Sequence, residues 1–203
     1  MQQLVQDAFA MGMTQVSEEA EQFANYLKAI KPHNVMEIGS KLGGMFHMLC
    51  ETSSGMRISV DMQGGDFGGW ILNEHAYLGN IYERRNKYFT EKYSNTYMID
   101  GDSQTFPIYN KVRNVLKDER LDLLFIDADH SYGGVNADYK NYSNLVRPGG
   151  RIVFHDINDT EHHRDIGCNV SKLWNELDGV KIEFNANKHW AGIGILIVGS
   201  EIQ

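Results

Sequence analysis

The sequence predicts an α/β fold in which helices cover both faces of a mostly parallel β-sheet. The clearest sign lies in residues 121–156, where the apolar runs 121–126 and 152–154 enclose a stretch with apolar residues at helical spacing. Short apolar runs between polar residues are typical of strands buried on both faces. Pro148-Gly149-Gly150 is expected to end this helix. A strand, a helix and a second strand in succession predict a right-handed crossover with parallel strands. Helical patterns alternate with three further apolar runs, at 35–38, 57–60 and 96–99.

The chain begins with a weakly amphipathic segment, residues 1–16, which we expect to form an amino-terminal arm or a short helix. Ser17, followed by two glutamates, is typical of a helix N-cap with acids in the first turn. Apolar residues then mark one face of a helix that ends before Pro32, namely Ala20, Phe23, Ala24, Leu27 and Ile30.

A glycine turn follows the first predicted strand. Glu37 stands near the end of that strand, and Gly39, Ser40 and Gly43 lie between it and a helix at 45–50. Glycines let a backbone approach a ligand closely, and a helix N-terminus offers unpaired N–H groups. The pattern therefore predicts a ligand site at this turn.

The ligand of this turn is not predicted to be a nicotinamide nucleotide. The fingerprint G-x-G-x-x-G is broken because Lys41 holds its second glycine position. The next strand ends in Asp61, 22 residues after Gly39. A carboxylate at that offset can accept hydrogen bonds from the ribose hydroxyls of an adenosyl group.

The middle of the chain combines polar stretches with a long helical pattern. Residues 64–70 are rich in glycine and are expected to form a loop beside the substrate. A helix is predicted at 73–93, with Arg84, Arg85 and Lys87 on a solvated face. After the strand at 96–99, Asp102 and Ser103 could cap the next helix.

The carboxyl-terminal part predicts one more helix and two strands. The helix covers 169–177, and the β-runs 180–184 and 193–198 are joined by a loop that fits an antiparallel hairpin. No linker, repeat or low-complexity segment interrupts the chain. We therefore predict one domain, residues 1–203, with 1–16 as its amino-terminal arm.

The composition is that of an ordinary globular domain. Of 203 residues 42% are hydrophobic and 23% charged, and the net charge of −8 argues against binding to nucleic-acid phosphates. No apolar run reaches the roughly 18 residues needed to span a bilayer, and the N-terminus lacks the basic start of a signal peptide. We expect a cytoplasmic protein, without membrane or nucleic-acid partners, in which Cys50 and Cys168 are free buried thiols.

Several motifs resemble those of one large enzyme family. The pattern E-x-G-x-x-x-G at 37–43 resembles the first motif of class I S-adenosylmethionine-dependent methyltransferases. The stretches IDADHSYGGVNADY, LVRPGGRIVFHDI, GCNVSKLWNEL and GIGIL are similar to the small O-methyltransferase branch, which is related to catechol and macrocin O-methyltransferases and cephalosporin-hydroxylase-like proteins. The resemblance covers about residues 17–199. It implies a Rossmann-like, doubly wound, mostly parallel sheet of seven strands with an antiparallel last strand.

The resemblance also assigns roles to individual residues. Asp102 and Ser103 would meet the adenine edge, and the whole set expected to contact S-adenosylmethionine is Glu37, Gly39, Ser40, Gly43, Asp61, Asp102, Ser103 and Asp127. Asp127 and Asp156 align with two metal-binding aspartates of the catechol-type enzymes. His130 stands where those enzymes carry a lysine that acts on the acceptor hydroxyl.

The third metal ligand departs from the family pattern. Catechol-type enzymes follow the second aspartate with asparagine, whereas Ile157 stands here. Macrocin-type relatives place an acid before that aspartate, at the position of His155. His155 is therefore a candidate ligand, and the alternative is that it only orients Asp156. The adjacent His162 and His163 are expected to be exposed to solvent, and the alternative is that they line an entrance for the acceptor.

Methyl transfer to a hydroxyl needs activation, because a hydroxyl at neutral pH is mostly protonated and a poor nucleophile. A divalent cation such as Mg²⁺, held by Asp127 and Asp156, could lower the hydroxyl pKa by coordination. Alternatively His130, with an ordinary pKa of about 6.5, could accept the proton as a general base. Both could act together, with Asp127 and His130 as the essential catalytic residues.

The sequence thus predicts a methyltransferase that acts on a hydroxyl of a small molecule or sugar. Two other hypotheses are a nucleotide-dependent oxidoreductase on a similar sheet, and a non-catalytic cofactor-binding module or hydroxylase-like relative. The acceptor pocket is expected to come from residues 1–15, 64–70 and 159–164, with Phe9 among the candidate aromatic contacts. The arm and the terminal hairpin are candidate surfaces for a homo-oligomer.

Overall fold

The computed structural model describes residues 2–62, 75–185 and 190–199, and in these ranges seven strands form one sheet. The strands are β1 (Val35–Ile38), β2 (Arg57–Asp61), β3 (Thr96–Asp100), β4 (Leu121–Ile126), β5 (Val146–His155), β6 (Val180–Phe184) and β7 (Ile193–Ile197). Their order across the sheet is β3-β2-β1-β4-β5-β7-β6. Neighbours among the first five pair in parallel, and β7 runs antiparallel to both β5 and β6. The predicted fold class is confirmed.

Helices cover both faces of the sheet. They are α1 (Gln2–Ala10), α2 (Ser17–Ile30), α3 (Gly44–Thr52), α4 (His75–Lys92), α5 (Phe106–Leu116), α6 (Tyr132–Tyr142), α7 (Glu161–Asp165) and α8 (Val170–Glu176). One apolar layer packs α1, α2 and α3 against the sheet, and the other packs α5, α6 and α8 against the opposite face. Because both faces are covered, the central strands can be apolar on both sides, as their sequences indicated.

The amino-terminal residues form a helix that packs into the domain. Val5 and Ala8 of α1 are buried in the layer that includes α2 and α3. The second helix begins at Ser17 as predicted, but Ser17 is its first residue and not its cap. Val16 occupies the N-cap position without a side-chain hydrogen bond.

The predicted end of α6 and start of β5 are wrong. The helix ends at Tyr142, a 3₁₀ turn covers Ser143–Leu145, and β5 begins at Val146. The sequence Pro148-Gly149-Gly150 therefore lies inside the strand, where a break was expected. The strand accommodates it at a register shift against β4, and the Gly149 N–H bonds the Val198 carbonyl at 2.9 Å. A bulge tolerates proline and glycine that a regular ladder would not.

The strand order reverses between β1 and β4, which lie side by side at the centre of the sheet. In open α/β sheets, ligands bind at the carboxyl ends of the strands beside such a reversal. The expected loop at 64–70 lies outside the described residues. Among the described helices, none has the length and apolar character to cross a membrane.

Candidate active site

A cavity of about 310 Å³ opens at the carboxyl ends of β1, β2, β4 and β5. It brings together ten of the residues predicted for the site: Glu37, Gly39, Ser40, Asp61, Asp102, Ser103, Asp127, His130, His155 and Asp156. The remaining wall includes three residues between α1 and α2, together with His162, His163, Cys168 and Trp190. Most of the polar residues that the sequence singled out thus share one space.

The glycines of the turn serve packing as much as ligand access. Gly39 has a φ of +90°, and a Cβ at this position would lie 2.0 Å from the Asp127 carbonyl oxygen. Gly43, at φ +94°, faces Phe89, with a Cβ 2.5 Å from that ring. Gly43 does not line the cavity, in contrast to the prediction. Its backbone conformation and its contact with α4 are what require glycine.

Glu37 and Ser40 lie at the floor of the cavity. The Glu37 carboxyl is buried, and its Oε2 atom has no hydrogen-bond partner. Burial raises the pKa of Glu37 well above its usual range, and the nearby Asp127 carboxylate adds to this shift. The Ser40 hydroxyl is 2.7 Å from the Ser59 hydroxyl. The buried Oε2 atom is therefore available to a ligand group that donates a hydrogen bond.

Asp61 stands at the end of β2, where it already pairs with the guanidinium of Arg85. Its Oδ2 accepts a hydrogen bond from the Lys41 N–H at 2.5 Å and lies 3.3 Å from Nη1 of Arg85. Arg85 is buried and also donates to the Lys41 carbonyl oxygen. Burial raises the pKa of Asp61 although the Arg85 charge opposes it.

The prediction that Arg84, Arg85 and Lys87 form a solvated face is wrong for Arg85. Arg84 and Lys87 are exposed, whereas Arg85 faces the glycine turn. A cluster of basic residues on a helix cannot all point the same way, because successive residues are about 100° apart. The carboxylate that pairs with Arg85 is that of Asp61 on β2, so the sequence around Arg85 does not reveal the contact.

The residues after β3 are held by hydrogen bonds to the rest of the domain. The Asp102 carboxylate accepts from the Gln104 N–H at 2.8 Å, but neither Asp102 nor Ser103 caps α5, because the N-cap residue of that helix is Thr105. Ser103 donates its hydroxyl to Asp138 Oδ1 at 2.6 Å. Asp138 is fully buried on α6, and burial raises its pKa to about 7. The sequence analysis missed Asp138, although an acid on the buried face of α6 was a usable signal.

Two carboxylates and two imidazoles form a cluster at the ends of β4 and β5. His130 Nε2 is 3.1 Å from Asp127 Oδ1, and its Nδ1 is 2.8 Å from Asp156 Oδ2. His155 Nδ1 lies 3.2 Å from Asp127 Oδ1 and 3.0 Å from Asp156 Oδ1. Asp156 has a left-handed backbone, with φ +60°. Such a conformation costs of order 1 kcal/mol outside glycine, and strain of this kind is concentrated at functional sites.

The contacts within the cluster favour the charged forms of all four groups. Burial acts to lower the pKa of both histidines. The hydrogen bonds that His130 donates to Asp127 and Asp156, and the charges of these carboxylates near His155, nevertheless raise both pKa values well above the ordinary value. Burial would raise the pKa of the two aspartates, yet His155 and then His130 hold each aspartate pKa below its usual range. The four groups therefore favour two carboxylates and two imidazoliums.

His163 is buried beside this cluster, and the expectation that it is exposed is wrong. It is 2% exposed, and its Nε2 lies 3.6 Å from Asp156 Oδ1. Thr160 caps α7 by accepting from the His163 N–H at 3.1 Å, which turns this side chain inward, whereas His162 is exposed. Cys168 is a buried free thiol whose Sγ lies close to ligand atoms of His130 and Asp156. Cys50 is also buried and free.

The outer wall of the cavity comes from segments near the two chain ends. Gly12, Met13 and Thr14 line it from the connection between α1 and α2. The Trp190 ring lies 6.4 Å from the His155 ring in an edge-on arrangement, and Trp190 is 36% exposed. Phe9 packs against the α1–α2–α3 layer instead of the cavity.

A doubly wound sheet with an antiparallel β7 between β5 and β6, and a carboxylate-lined cavity at its strand-order reversal, defines a protein of the class I methyltransferase type. The family model described as a methyltransferase domain matches residues 36–157, which is more than half of the chain. The chain belongs to this methyltransferase-domain family. The recognition made from the motifs is confirmed.

One curated relative and two solved structures give the range of similarity. The uncharacterized protein y4gI of Sinorhizobium fredii is 26% identical over 176 residues, which are 86% of this chain and 18% of that protein. The chain thus spans less than a fifth of the length of this relative. An O-methyltransferase from Bacillus cereus in complex with S-adenosylhomocysteine has a TM-score of 0.57 at 18% identity, with 97% of this chain and 89% of that chain covered.

The MycE methyltransferase of the mycinamycin biosynthetic pathway, in complex with Mg and S-adenosylhomocysteine, has a TM-score of 0.60 at 14% identity. The match covers 98% of this chain and 55% of that one. Both structural similarities establish the fold.

Proposed function

We propose that this protein transfers the methyl group of S-adenosylmethionine to a hydroxyl of a small molecule or sugar. The observation that carries the proposal is the row of carboxyl groups along the cavity, from Glu37 and Asp61 to Asp127 and Asp156. The donor has a sulfonium and an ammonium group, so carboxylates attract it. A nicotinamide dinucleotide carries a pyrophosphate that the same groups would repel, which disfavours the oxidoreductase alternative.

The cofactor-binding roles follow the strand ends. Asp61 would accept hydrogen bonds from the ribose hydroxyls in place of its contact with Arg85. The turn at Asp102 and Ser103 would meet the adenine edge. Glu37, unpartnered at Oε2, would receive the cationic amino acid portion of the cofactor. This assignment is supported by structures of similar fold that were crystallised with S-adenosylhomocysteine.

The acceptor would lie at the other end of the cavity, against His130 and Trp190. As the side chains stand, His130 holds a proton between Asp127 and Asp156. A sulfonium next to Asp127 would weaken the attraction that holds this proton, so that His130 releases it to solvent and becomes neutral before the acceptor reacts. His130 is then placed to accept the hydroxyl proton while the acceptor oxygen attacks the methyl carbon and the sulfur leaves with its bonding electron pair.

A divalent cation fits the donor set of the same cluster. His155 Nδ1 and Asp156 Oδ1 are buried without a hydrogen bond of good geometry, and Asp127 Oδ1 lies within 3.2 Å of His155 Nδ1. Asp127 and His155 would hold the ion, and Asp156 would join them only if its carboxylate moves, since the ligand atoms that already lie within 4.8 Å of one another are those of Asp127, His155 and His130. When bound, it would supply Lewis-acid stabilisation of the alkoxide or phenolate oxygen.

Calorimetric titration with S-adenosylmethionine tests the cofactor assignment. Wild-type protein is expected to bind one equivalent, and Asp61→Ala should weaken binding at least about tenfold because two ribose hydrogen bonds are lost. Asp100→Ala is the matched control, because Asp100 pairs with Asp61 in register but lies on the exposed edge strand outside the cavity. Circular dichroism verifies that both variants fold.

A methyl-labelled cofactor then tests the activity on a panel of phenols, catechols and monosaccharides. Label transferred to a hydroxyl supports the proposal. Binding of NAD⁺ in place of S-adenosylmethionine would contradict it in favour of an oxidoreductase. Cofactor binding without transfer to any member of the panel would favour a non-catalytic binding module.

A further inference from the structure

We propose that Asp138 and Tyr142, on the buried face of α6, are positioning residues that make the turn after β3 selective for adenine over a 6-oxopurine. They would act through Ser103, which lines the cavity, whereas neither of them belongs to its described wall. The inference rests on the proposed function, because it concerns the base of the same cofactor. It gives a role to a buried acid that methyl transfer itself does not use.

Two residues of α6 hold the polar groups of Ser103. The Ser103 hydroxyl donates to Asp138 Oδ1 at 2.6 Å, and the Ser103 carbonyl oxygen accepts from the Tyr142 hydroxyl at 2.8 Å. The N–H of the next residue, Gln104, donates to the Asp102 carboxylate at 2.8 Å. The side chain of Ser103 and the peptide plane that follows it are thus both fixed, which gives the turn one orientation in the cavity wall.

One hydrogen-bond donor of Ser103 is left for a ligand. The Ser103 N–H has no hydrogen-bond partner among the residues that the structure describes, although Ser103 is only 7% exposed. A backbone N–H in such surroundings needs an acceptor. N1 of adenine is an acceptor, and the amino group beside it donates, which suits the Asp102 carboxylate because a carboxylate only accepts. A 6-oxopurine reverses both features, since it has a hydrogen on N1 and an acceptor at position 6.

An acid at position 138 is unfavourable for the packing of α6 alone. Val135 and Tyr142, which share its helix face, belong to the apolar layer beneath the sheet, and Asp138 has no exposed surface. Burial raises the pKa of Asp138 to about 7, and its Oδ2 atom is buried without a hydrogen-bond partner in the described part of the chain. The favourable contact of this carboxyl is the one with Ser103, so the acid serves the turn and not the helix.

The contact with Ser103 does not require a charge on Asp138. Oδ1 accepts the hydrogen bond in the ionised carboxylate, and it remains an acceptor when a proton is bound at Oδ2. Asparagine at this position can present an oxygen in the same place. Leucine has a similar shape but no acceptor. These two substitutions therefore separate the hydrogen bond from the burial of a side chain.

Calorimetric titration with S-adenosylhomocysteine and with its 6-oxo analogue, S-inosylhomocysteine, tests the proposal. Wild-type protein should bind the adenine compound at least about 30-fold more tightly, because a site that hydrogen-bonds one pattern rejects the reversed one. Asp138→Leu should reduce this ratio to less than about fivefold, mainly through weaker binding of the adenine compound. Asp138→Asn should keep the ratio within about threefold of the wild-type value, since it retains the acceptor.

Two further variants make the result specific. Val112→Ala controls for a loss of stability, because Val112 is a buried residue of α5 in the same apolar layer and its truncation removes no hydrogen bond. The ratio should be unchanged in this variant. Tyr142→Phe removes only the hydroxyl that holds the Ser103 carbonyl, and it should lower the ratio about threefold or more. If Asp138→Leu fails to fold, Tyr142→Phe carries the test.

Three results would overturn the proposal. The first is a wild-type ratio near one. The second is the wild-type ratio in both Asp138→Leu and Tyr142→Phe, which would leave α6 with a purely structural role. The third is an equal loss of the ratio in Val112→Ala and Asp138→Leu, because a loss of stability would then explain both.

The failure of this inference can be separated from failure of the proposed function. Binding of S-adenosylhomocysteine without a preference over its 6-oxo analogue rejects the inference alone. Adenosine and inosine are titrated in the same way. A preference for adenosine that Asp138→Leu abolishes, without binding of either homocysteine compound, rejects the methyltransferase proposal and leaves the inference standing. Folded wild-type protein that binds none of the four compounds rejects both.

Discussion

The side chain of His130 contacts a carboxylate through each of its ring nitrogens, Asp127 through Nε2 and Asp156 through Nδ1. This bridging position fixes the orientation of the ring. In the proposed function, it would also place the ring between the cofactor, next to Asp127, and the acceptor. A proton acceptor is needed at that position for transfer to a hydroxyl.

We expect His130→Gln to lower the rate of methyl transfer about 10²- to 10⁴-fold, because general-base catalysis contributes roughly that factor. The affinity for S-adenosylmethionine should change less than about threefold. Transfer of labelled methyl and calorimetry measure the two quantities. His33→Gln, which removes an exposed histidine outside the cavity, is the control. Full activity in His130→Gln would show that another group acts as the general base.

The site residues that directly follow a strand were predictable, and the others were not. Asp127, His130, His155 and Asp156 come within four residues of the ends of β4 or β5, so the parallel topology alone brings them together. His162 and His163 lie on a short helix beyond β5 and both line the cavity, but only His163 is buried beside Asp156. Which of the two is buried depends on the Thr160 cap and on the contact with Asp156, which a local sequence pattern does not show.

Helix α6 holds the loop after β3 at two points. Ser103 donates its hydroxyl to Asp138, and the Tyr142 hydroxyl donates to the Ser103 carbonyl oxygen at 2.8 Å. Asp138 Oδ2 is buried without a partner. The helix thus positions the residues that are expected to meet the adenine edge. The cost is the burial of the Asp138 carboxyl.

The pKa of about 7 for Asp138 predicts a pH-dependent stability difference. The folded-state pKa lies above the unfolded value of about 3.9, so the associated stability is present below pH 4 and lost as the pH rises to 7. Asp138→Asn keeps the acceptor for Ser103 and cannot ionise. Its gain over wild type should grow with pH to roughly 4 kcal/mol above pH 7.

Urea unfolding at pH 5, 6, 7 and 8, followed by tryptophan fluorescence, measures this difference. Asp178→Asn changes an exposed acid and should show no such trend. A constant difference between Asp138→Asn and wild type at every pH would contradict the assignment.

The strands differed in how well their limits could be read from the sequence. For β1, β2, β4 and β6 the apolar or β-branched run coincides with the strand within one residue. For β5 it does not, because Pro148 and the two glycines after it are ordinary breakers in isolation. The bulge opposite β4 and the contact with Val198 keep this segment in the sheet, and both partners are distant in sequence.

The centre of the sheet is held together where β1 meets β4. The turn after β1 passes so close to the Asp127 carbonyl oxygen that no side chain fits at Gly39. The two halves of the cavity, one from β1 and β2 and the other from β4 and β5, meet at this contact. The spacing between the two halves therefore depends on glycine at position 39, where no side chain fits.

Gly39→Ala is expected to destabilise the domain by about 3 kcal/mol or more, since the added Cβ meets backbone atoms and the φ of +90° disfavours alanine. Gly167→Ala is a matched control. Gly167 has a φ of +75° but nothing within 4 Å of the added Cβ, so its cost should be only about 1 kcal/mol. Guanidinium unfolding compares the two, and equal losses would contradict the role given to the Asp127 contact.

The topology as a whole was accessible from the sequence because local patterns and connection rules agree. Alternating strands and helices predict five parallel strands, and the short terminal connection predicts an antiparallel pair. That β7 enters between β5 and β6 was implied by the family resemblance and not by the hairpin pattern itself. A hairpin alone would also permit β6 to lie next to β5.

If Asp61 binds the cofactor ribose as proposed, its contact with Arg85 makes cofactor entry an exchange reaction. A ligand that binds the Asp61 carboxylate has to displace the Arg85 guanidinium. It succeeds only if its own hydroxyl groups compensate for the lost ion pair. Under the proposed function, adenosyl compounds with both ribose hydroxyls would do so, and deoxyribose analogues would not. A single arginine on α4 would then set a threshold for binding that depends on the sugar of the ligand.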